Sequence, residues 1–366
     1  MTRDNRTVSR RNFIAATGVA GITGLAGCGG DGGDGGGDGD GGDGGGSDLS
    51  IAIISSNAGF DDRAFNDMAL QGLETAQEEY GFELNTIEET DIAAFGDVQA
   101  EAAEAGHDLI VLVGFQHTEP LQENATEFPD TNWMLINDNV EEPNVAGYVW
   151  ANHEMSYLAG VQAGTMTTHD LEHEGNQNDP DGNHVGFVGG EEVPLIEAFE
   201  QAYIAGAEWA NPDVEVSVGY AGSFGDPAAG EEVAASQYDD GADIIYHAAA
   251  ATGPGIFEAA QAEGRFAIGV DADQSRTLPD FSDVIIGSAV KFINLGTREA
   301  AAAVAEDDWD SVAGFNVLGL SEEAVDLVVG QVFEGELPDE LTTNLEEAKQ
   351  GIVDGDIEVP CAHDGC

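Results

Sequence analysis

Basic residues are scarce in this chain of 366 residues, which has 10 Lys and Arg against 71 Asp and Glu and a formal net charge of −61. Without a basic patch the chain cannot hold a phosphate backbone, so nucleic-acid binding is excluded. The mutual repulsion of so many acids opposes a compact state in dilute buffer, but molar salt shortens the Debye length to about 3 Å. Because the acids are spread through amphipathic segments of a chain that is 42% hydrophobic, we interpret it as a halophilic globular protein.

Cysteines and long apolar runs are scarce as well. The three cysteines are Cys28, Cys361 and Cys366. The last two are close enough to pair in a small loop outside the cytoplasm, and a metal site that includes His363 is the weaker alternative because no fourth ligand is evident. Beyond residue 28, no apolar run reaches the roughly 20 residues that cross a bilayer.

Motifs typical of enzymes are also absent. The chain has no GxSxG elbow, no GxGxxG after the first predicted strand, no HExxH and no phosphate loop of the GxxxxGK type. No spacing of Asp, Glu and His residues requires an acid–base pair. We therefore expect neither catalysis nor a cofactor, and no metal site.

The N-terminus has the order of an export signal. A twin-arginine pair, Arg10 and Arg11, precedes an Ala-, Gly- and Thr-rich run over 14–27 that is too short to span a membrane. Leu25-Ala26-Gly27-Cys28 resembles a lipobox, in which cleavage leaves Cys28 as a lipid-bearing N-terminus. Residues 1–27 are therefore predicted to be a signal, and the mature protein is predicted to be lipid-anchored on the extracytoplasmic face of the cell membrane.

A tether follows the predicted lipid site. Residues 29–47 are almost all Gly and Asp, so they cannot bury apolar surface, and their charges extend the chain. Residues 28–48 are therefore assigned to the anchor and tether, and a globular body begins at 49.

Apolar β-type runs alternate with helical patterns through the body. This alternation predicts βαβ units, an α/β fold and parallel sheets covered on both faces. The predicted strands are 49–55, 108–114, 132–137, 144–150, 184–189, 214–220, 243–249, 266–270 and 284–290. The predicted helical segments are 61–80, 153–168, 194–210, 227–240, 254–263, 291–306 and 321–334.

Polar insertions interrupt this pattern at one point. Residues 169–184 predict a surface loop, whose three histidines are expected to be solvated rather than metal ligands. Asn124-Ala125-Thr126 matches a glycosylation sequon, a triplet that is common by chance.

The loops after the strands carry the candidate chemistry, because ligands bind beyond the carboxyl ends of parallel strands. Lys291 follows one strand and is one of only two lysines, with Lys349, which favours a functional role over a surface ion pair. These loops offer aromatic faces, carboxylates, amides and one ammonium group, which suits a neutral, hydroxyl-bearing ligand with a flat part. They lie at 57–67, 114–117, 137–139, 247–255, 271–274 and 291.

The order of short motifs resembles the basic membrane lipoprotein family, the nucleoside-binding substrate-binding lipoproteins of ABC importers, here in a haloarchaeal-type form. The resemblance covers about residues 50–330. Its motifs are Asp62-Arg63-Ala64-Phe65-Asn66 with Gly72-Leu73, Asp108-Leu109-Ile110 with Gly114-Phe115, Pro143-Asn144-Val145, Tyr157-Leu158-Ala159-Gly160, Val185-Gly186-Phe187-Val188-Gly189-Gly190, Gly241-Ala242-Asp243 with Thr252-Gly253, Ile268-Gly269-Val270-Asp271-Ala272-Asp273-Gln274, and Ser288-Ala289-Val290-Lys291.

The resemblance implies a periplasmic-binding-protein type I-like fold with two Rossmann-like lobes and a hinge. Lobe 1 is expected over 49–152 and about 288–320, and lobe 2 over 153–287 and about 321–360. A purine nucleoside is expected between the lobes, for delivery to an ABC permease and its ATPase. The implied ligand-binding residues are Asp62, Phe65, Asn66, Asp138, Tyr246, Gly253, Asp271 and Lys291.

The resemblance also implies a role for individual residues in binding the ligand. Phe65 and Asn66 are expected at the base, Asp138 at its edge with Asn137 as a possible partner, and Asp271 and Lys291 at the ribose. Tyr246 and Phe257 are the candidates for a second stacking aromatic. The open alternatives are a binding protein for sugars or other small polar solutes with the same architecture, and a ligand-sensing surface lipoprotein.

Overall fold

The computed structural model describes residues 49–361. The predicted signal, Cys28, the tether and Cys366 lie outside this range. Cys361 is disulfide-bonded, and the chain's other cysteines are beyond the described residues. The strands are β1 Ser50–Ile54, β2 Glu83–Ile87, β3 Leu109–Leu112, β4 Asn132–Ile136, β5 Val145–Trp150, β6 Glu172–His173, β7 Asn176–Gln177, β8 His184–Gly189, β9 Glu215–Tyr220, β10 Ile244–Ala248, β11 Phe266–Asp271, β12 Ile285–Lys291, β13 Gly314–Leu318 and β14 Val325–Val329.

Helices separate nearly all of these strands. None of the helices within 49–361 is both long and apolar enough to cross a membrane. They are α1 Phe65–Tyr80, α2 Phe95–Glu104, α3 Thr118–Glu127, α4 Asn152–Met166, α5 Pro194–Ala210, α6 Pro227–Asp239, α7 Gly253–Glu263, α8 Gln274–Thr277, α9 Ile293–Ala305 and α10 Asp339–Asp354.

Two six-stranded sheets form the two lobes. The first has the order β13-β5-β4-β3-β1-β2 and the second the order β14-β12-β11-β10-β8-β9. All pairs are parallel except β12 with β14, which is antiparallel. The central strands are buried along their whole length, as β3 with the sequence Leu-Ile-Val-Leu illustrates. The α/β prediction with parallel sheets is confirmed.

The chain passes between the sheets at three points. It leaves the first sheet after β5, returns through α9 to β13, and leaves again between β13 and β14. A hydrogen bond joins the first and third crossing segments: the N–H of Leu320 in the third donates to Oε2 of Glu154 in the first at 2.7 Å. The predicted lobe boundaries stay a prediction; their limit near 288 falls inside β12, all of which lies in the second sheet.

One helical prediction was wrong. Residues 321–334 were expected to be helical, but β14 lies there, from Val325 to Val329. The run Val-Asp-Leu-Val-Val is rich in β-branched residues, which favour strands. Because it also pairs with β12, it forms a strand despite its helical spacing of apolar residues. The strand predictions also missed β2 and β13, which lie at sheet edges and contain only partly buried and exposed residues.

Close helix packing joins α4 to α5 in the second lobe. A Cβ at Gly160 would lie 2.0 Å from the carbonyl oxygen of Tyr203, and one at Gly206 would lie 2.0 Å from that of Tyr157. Only glycine lets the two backbones approach this closely. Helix α4 is buried nearly all round as a result, which explains its weak amphipathic pattern.

Candidate ligand-binding site

A cavity lies between the carboxyl ends of the two sheets. It contains about 510 Å³ of space free of protein atoms, including part of its opening to solvent, which is in the range of small-molecule sites. The first lobe contributes Ser56, Asn57, Ala58, Phe65, Gly114, Phe115, Gln116 and Asn137 to the lining. The second contributes Leu195, Ile196, Phe199, Phe224, Ala248, Ala249, Ala250, Val270, Asp271 and Lys291.

Four phenylalanines form the apolar walls. Phe65 and Phe115 come from the first lobe, and Phe199 and Phe224 come from the second. Aromatic faces on two sides of a cavity suit a flat ring held between them. Phe65 begins α1, four residues after the start of the helical segment predicted over 61–80, whereas Phe199 lies inside α5 and Phe224 follows β9. Sequence reasoning missed these last two, although Phe224 lies in the loop after a strand of the second sheet.

Lys291 and Asp271 form an ion pair in this cavity. The Nζ atom of Lys291 lies 3.0 Å from Oδ1 of Asp271, and both side chains are almost fully buried. Lys291 also donates a hydrogen bond of 3.2 Å to Oδ1 of Asn152 at the first crossing between the sheets. Its Nζ lies 4.7 Å from the centre of the Phe65 ring, so a cation from the second sheet contacts an aromatic face of the first lobe.

Two left-handed residues occupy equivalent places in the two sheets. Asn137 directly follows β4 and has a φ of 69°, and Asp271 ends β11 with a φ of 65°. Strands β4 and β11 have the same place in the two sheet orders. Asn and Asp adopt this conformation at the lowest cost among residues other than glycine. Each lobe thus uses one such residue to direct a polar side chain to the cavity.

Three buried oxygens that line the cavity accept no hydrogen bond from residues 49–361. They are Oε1 of Gln116, Oδ1 of Asn137 and Oδ1 of Asp271. Oδ1 of Asp271 already faces the Lys291 ammonium at 3.0 Å, but a carboxylate oxygen has room to accept a further hydrogen bond from a ligand. A buried acceptor without a donor costs free energy. The cavity is therefore suited to a ligand that supplies several N–H or O–H donors.

Asp62 and Asn66 support the cavity from behind and are not among its lining residues. The Asp62 carboxylate accepts hydrogen bonds from the N–H groups of Ala64, Asn66 and Asp67 at the start of α1. Burial raises its pKa, against the opposing effect of these bonds. Asn66 accepts from the N–H of Ser56 at 2.8 Å and donates to Ser56 Oγ and Asp62 Oδ2. The pair thus fixes Ser56 and Phe65, which do line the cavity.

Three further predicted residues lie outside the cavity lining. Asp138 accepts from Thr118 Oγ1 at 2.6 Å and borders a neighbouring groove with Phe315. Tyr246 is fully buried, with its hydroxyl 3.2 Å from that of Ser156. Gly253 starts α7, where a Cβ would lie 2.3 Å from Cε1 of His247.

The predicted second aromatic is also placed elsewhere. Phe257 packs edge-on against His247, with ring centres 5.1 Å apart, and Tyr246 packs against Tyr203. Neither lines the cavity, whose second-lobe rings are those of Phe199 and Phe224. Tyr246 and Phe257 are instead part of two different apolar clusters of the core.

Two buried histidines hold the strand ends in place. Nε2 of His247 lies 2.9 Å from Oε1 of Gln274, and that oxygen also accepts from the N–H of Val270 next to Asp271. In the first lobe, Nε2 of His117 lies 2.9 Å from the carbonyl oxygen of Ser55. Burial lowers the pKa of both histidines to about 4, so both are neutral at pH 7 and act as hydrogen-bonding supports.

The histidines of the 169–184 loop do not converge. His169 lies 3.3 Å from a carboxylate oxygen of Glu340, the His173 ring packs on Phe333, and His184 lies 2.6 Å from Ser217 Oγ. Among the residues described, no group of three or more His, Cys, Asp or Glu side chains is arranged to hold a metal ion. The sequon residue Asn124 is 6% exposed, and its side chain is hydrogen-bonded to Gly96 and Gln99.

Comparison with known proteins places the chain among transport proteins. A family model described as ABC transporter substrate-binding protein PnrA-like matches residues 50–363. The chain is 31% identical over 310 residues to basic membrane protein A2 of Borrelia garinii, with 83% of this chain and 86% of the relative covered. It is 29% identical over 333 residues to the ABC transporter nucleoside-binding protein BmpA of Lactococcus lactis, with 86% and 90% covered.

A solved structure supports the same assignment. The solute-binding protein of an ABC transporter system from Aeropyrum pernix K1 matches with a TM-score of 0.75 at 27% identity, covering 86% of this chain and 95% of that one. A cavity between two α/β lobes is the architecture of such solute-binding proteins. The chain belongs to the PnrA-like family of ABC transporter substrate-binding proteins, which bind a small solute and deliver it to a membrane permease rather than catalyse a reaction.

Proposed function

We propose that this protein captures a nucleoside, in particular a purine nucleoside, between its lobes and delivers it to its permease. The observation that carries the proposal is the cavity in which aromatic rings from both lobes flank the Asp271–Lys291 ion pair, beside the unpaired amide oxygen of Asn137. The name of the Lactococcus lactis relative supports the same ligand class.

Different residues of the cavity are assigned to the ribose and to the base of the nucleoside. Asp271 and Lys291 are assigned to the ribose, because a carboxylate accepts from two vicinal hydroxyls while the ammonium donates to a sugar oxygen. The ion pair carries no net charge, which favours a neutral nucleoside over a phosphorylated one. Phe65 is assigned to the base, with Phe199 or Phe224 on its other face.

At the base edge we assign the polar contact to Asn137 in preference to Asp138. Asn137 lines the cavity and has an unpaired buried oxygen, whereas Asp138 already accepts from Thr118 and from the N–H of Asn139. Asp62 and Asn66 act indirectly, through Ser56 and Phe65. Tyr246 and Gly253 would act only through the packing of the second lobe.

Ligand capture is coupled to lobe closure in this proposal. Ligand donors would pair with acceptors of both lobes, Asn137 on one side and Asp271 on the other. Without a ligand, the unpaired buried oxygen of Asn137 penalises the closed arrangement, so the ligand shifts the population towards closure. The hydrogen bond of 2.9 Å from Thr277 Oγ1 to the carbonyl oxygen of Arg63 is a direct contact between the lobes that closure would make.

The location follows from the N-terminal sequence and belongs to the same proposal. Export through the twin-arginine route carries a folded chain, and a lipid on Cys28 would hold it within reach of the permease. Replacing Cys28 by Ser is expected to release the protein from membranes into the medium. A membrane-bound fraction that did not change would contradict the lipid anchor.

Calorimetric titration in molar salt tests the ligand class. Purine nucleosides, pyrimidine nucleosides, free sugars and amino acids are added in turn to the purified body, residues 49–366. Binding of purine nucleosides at micromolar concentration or tighter, with no response to ribose or other sugars, is the expected result. Tight binding of a free sugar and none of a nucleoside would instead support the sugar-binding alternative.

A further inference from the structure

Gln116 has one fixed hydrogen bond and one free acceptor in the cavity. Its Nε2 atom donates to Oδ1 of Asn57 at 2.9 Å, which joins the loops after β3 and β1. Its Oε1 atom is buried and accepts no hydrogen bond from any described residue. Because the amide nitrogen is already engaged, Gln116 presents an acceptor rather than a donor to a ligand.

The backbone conformation at Gly114 allows this position of the Gln116 amide. Gly114 has a φ of +106°, and a Cβ at this position would lie 2.6 Å from Oε1 of Gln116. A side chain here would both strain the backbone and displace the Gln116 amide. The glycine therefore accounts for the close approach of the amide to the strand end.

A second amide oxygen lies on the same wall. Asn137 follows β4, the direct neighbour of β3 in the first sheet, and its Oδ1 is likewise buried without a donor from the described part of the chain. Both residues line the cavity, so the first lobe offers two acceptors to a base edge that enters it.

We propose that Gln116 is a specificity-determining residue which, together with Asn137, selects a base edge with two adjacent donors. This inference rests on the proposed nucleoside function. A 2-amino-6-oxopurine edge has a ring N–H beside an amino group and satisfies both acceptors. The hypoxanthine edge supplies only the ring N–H, and the adenine edge places a ring acceptor beside its amino group. The preferred ligand is therefore guanosine.

The expected discrimination follows from the unpaired acceptor. A ligand that lacks one of the two donors leaves one buried oxygen without a partner, which weakens binding by about tenfold or more. Inosine lacks the amino group, and 1-methylguanosine lacks the ring N–H. Each therefore probes one of the two acceptors.

The test titrates guanosine, inosine, adenosine and 1-methylguanosine into the parent protein and into Gln116→Met, in molar salt. The parent is expected to bind guanosine at least tenfold more tightly than the other three. Gln116→Met has a similar shape without the acceptor, and it should lose the discrimination against one of the two guanosine analogues while it keeps that against the other. Gln116→Glu restores an acceptor oxygen and should keep the preference for guanosine.

The control is Gln122→Met on the exposed surface of α3, which should bind all ligands like the parent. Circular dichroism establishes that each variant is folded. Nucleoside binding by the parent without a preference for guanosine, or an equal loss for all ligands in Gln116→Met, would overturn the role of Gln116 and leave the nucleoside function intact. If no nucleoside binds the parent at all, the proposed function fails and this inference fails with it.

Discussion

The ammonium of Lys291 lies 3.0 Å from a carboxylate oxygen of Asp271, and both side chains are almost fully buried between the lobes. Desolvating two buried charges costs free energy, and only their mutual attraction offsets that cost, so both must be present. Lys291 also bonds Asn152 and faces the Phe65 ring. This residue therefore joins the second sheet, a crossing segment and an aromatic wall of the first lobe.

Replacing Lys291 by Met should lower both stability and affinity. The variant leaves Asp271 buried without its partner, for a loss of about 3–5 kcal/mol in the free energy of unfolding. Lys349→Met is the matched control, because Lys349 pairs with Asp326 at a site that is one-third exposed, and it should lose less than about 1 kcal/mol. The double variant Lys291→Met with Asp271→Asn should regain most of the stability but no nucleoside binding. Urea unfolding and calorimetry in molar salt measure the two effects; a single variant as stable as the control would contradict this account.

Replacing Phe65 by Leu should weaken nucleoside binding. The change keeps an apolar side chain in the cavity wall but removes the ring that stacks on the base, a contact worth about 1–3 kcal/mol. Affinity measured by calorimetry should fall by about tenfold or more, with a small change in stability. Phe315→Leu, at a ring that is 51% exposed, serves as the control. Equal affinities of the Phe65 variant and the parent would remove Phe65 from the site.

Replacing Asn66 by Leu should act on the site through the backbone. The change removes the acceptor for the N–H of Ser56 and a donor to Asp62, all of which are buried. Unsatisfied buried groups of this kind cost about 1–3 kcal/mol each, so the free energy of unfolding should fall by several kcal/mol. Asn85→Leu, at a partly exposed position in β2, should have little effect. A stable variant with normal affinity would show that Asn66 does not hold the site.

Replacing Thr277 by Val should weaken binding without affecting the fold. The variant loses the hydrogen bond to the Arg63 carbonyl, which only the closed arrangement of the lobes makes in this proposal. Affinity should drop by about three- to tenfold, the size of one net hydrogen bond. Thr343→Val on α10, whose hydroxyl bonds within its own helix, is the control. The same nucleoside affinity in the Thr277 variant and in the control would argue against this contact as part of closure.

Asp243 should make stability depend on pH. Burial raises its pKa to about 7 in the folded protein, above the value of 3.8 expected when unfolded. Between about pH 4 and pH 7 the carboxyl group therefore holds a proton in the folded state that it has lost in the unfolded state. Its contribution to the free energy of unfolding is fully present below about pH 4 and is lost as the pH rises through 7. The buried His117 and His247 have the opposite slope, since their lowered pKa values destabilise the fold as the pH falls below 6.5.

Comparison with Asp243→Asn isolates the contribution of the carboxyl, because the histidines contribute equally to both proteins. Relative to the parent, the variant should gain stability as the pH rises from 4 to 8, by a few kcal/mol. Urea unfolding at several pH values gives the difference. A difference between the two proteins that is constant with pH would mean that the Asp243 carboxyl does not titrate in this range.

The alternation of strands and helices could be predicted from the chain, because each element carries its own period of apolar residues. Residues 109–112 and 285–290 are continuous buried strands and were easy to recognise. β14 was not, since a short run of β-branched residues fits either period and its pairing with β12 decides the outcome. The edge strands β2 and β13 were also missed, whereas β9, an edge strand that is equally incompletely buried, was predicted.

Position along the chain predicted the cavity lining only in part. Asp271, Lys291 and Phe65 directly follow a buried strand or open a helix after one, and all three line the cavity. Asp138 and Gly253 meet the same condition but do not line the cavity. Phe199, inside α5, does not meet it, and nothing in its local sequence distinguishes it from a core residue. The choice between Asn137 and Asp138 also could not be made, because adjacent residues after a strand point in different directions that depend on the backbone angle.

The α/β class, the parallel sheets, the high acidic charge and a short set of polar strand ends could all be predicted from the chain, because each depends on local composition and period. Which of those strand ends meet depends on the three-dimensional fold. The left-handed Asn137 and Asp271 come from different lobes and are 134 positions apart in the numbering. They line one cavity because β4 and β11 take equivalent places in their sheets, and that register is set by long-range pairing between strands rather than by any neighbour in the chain.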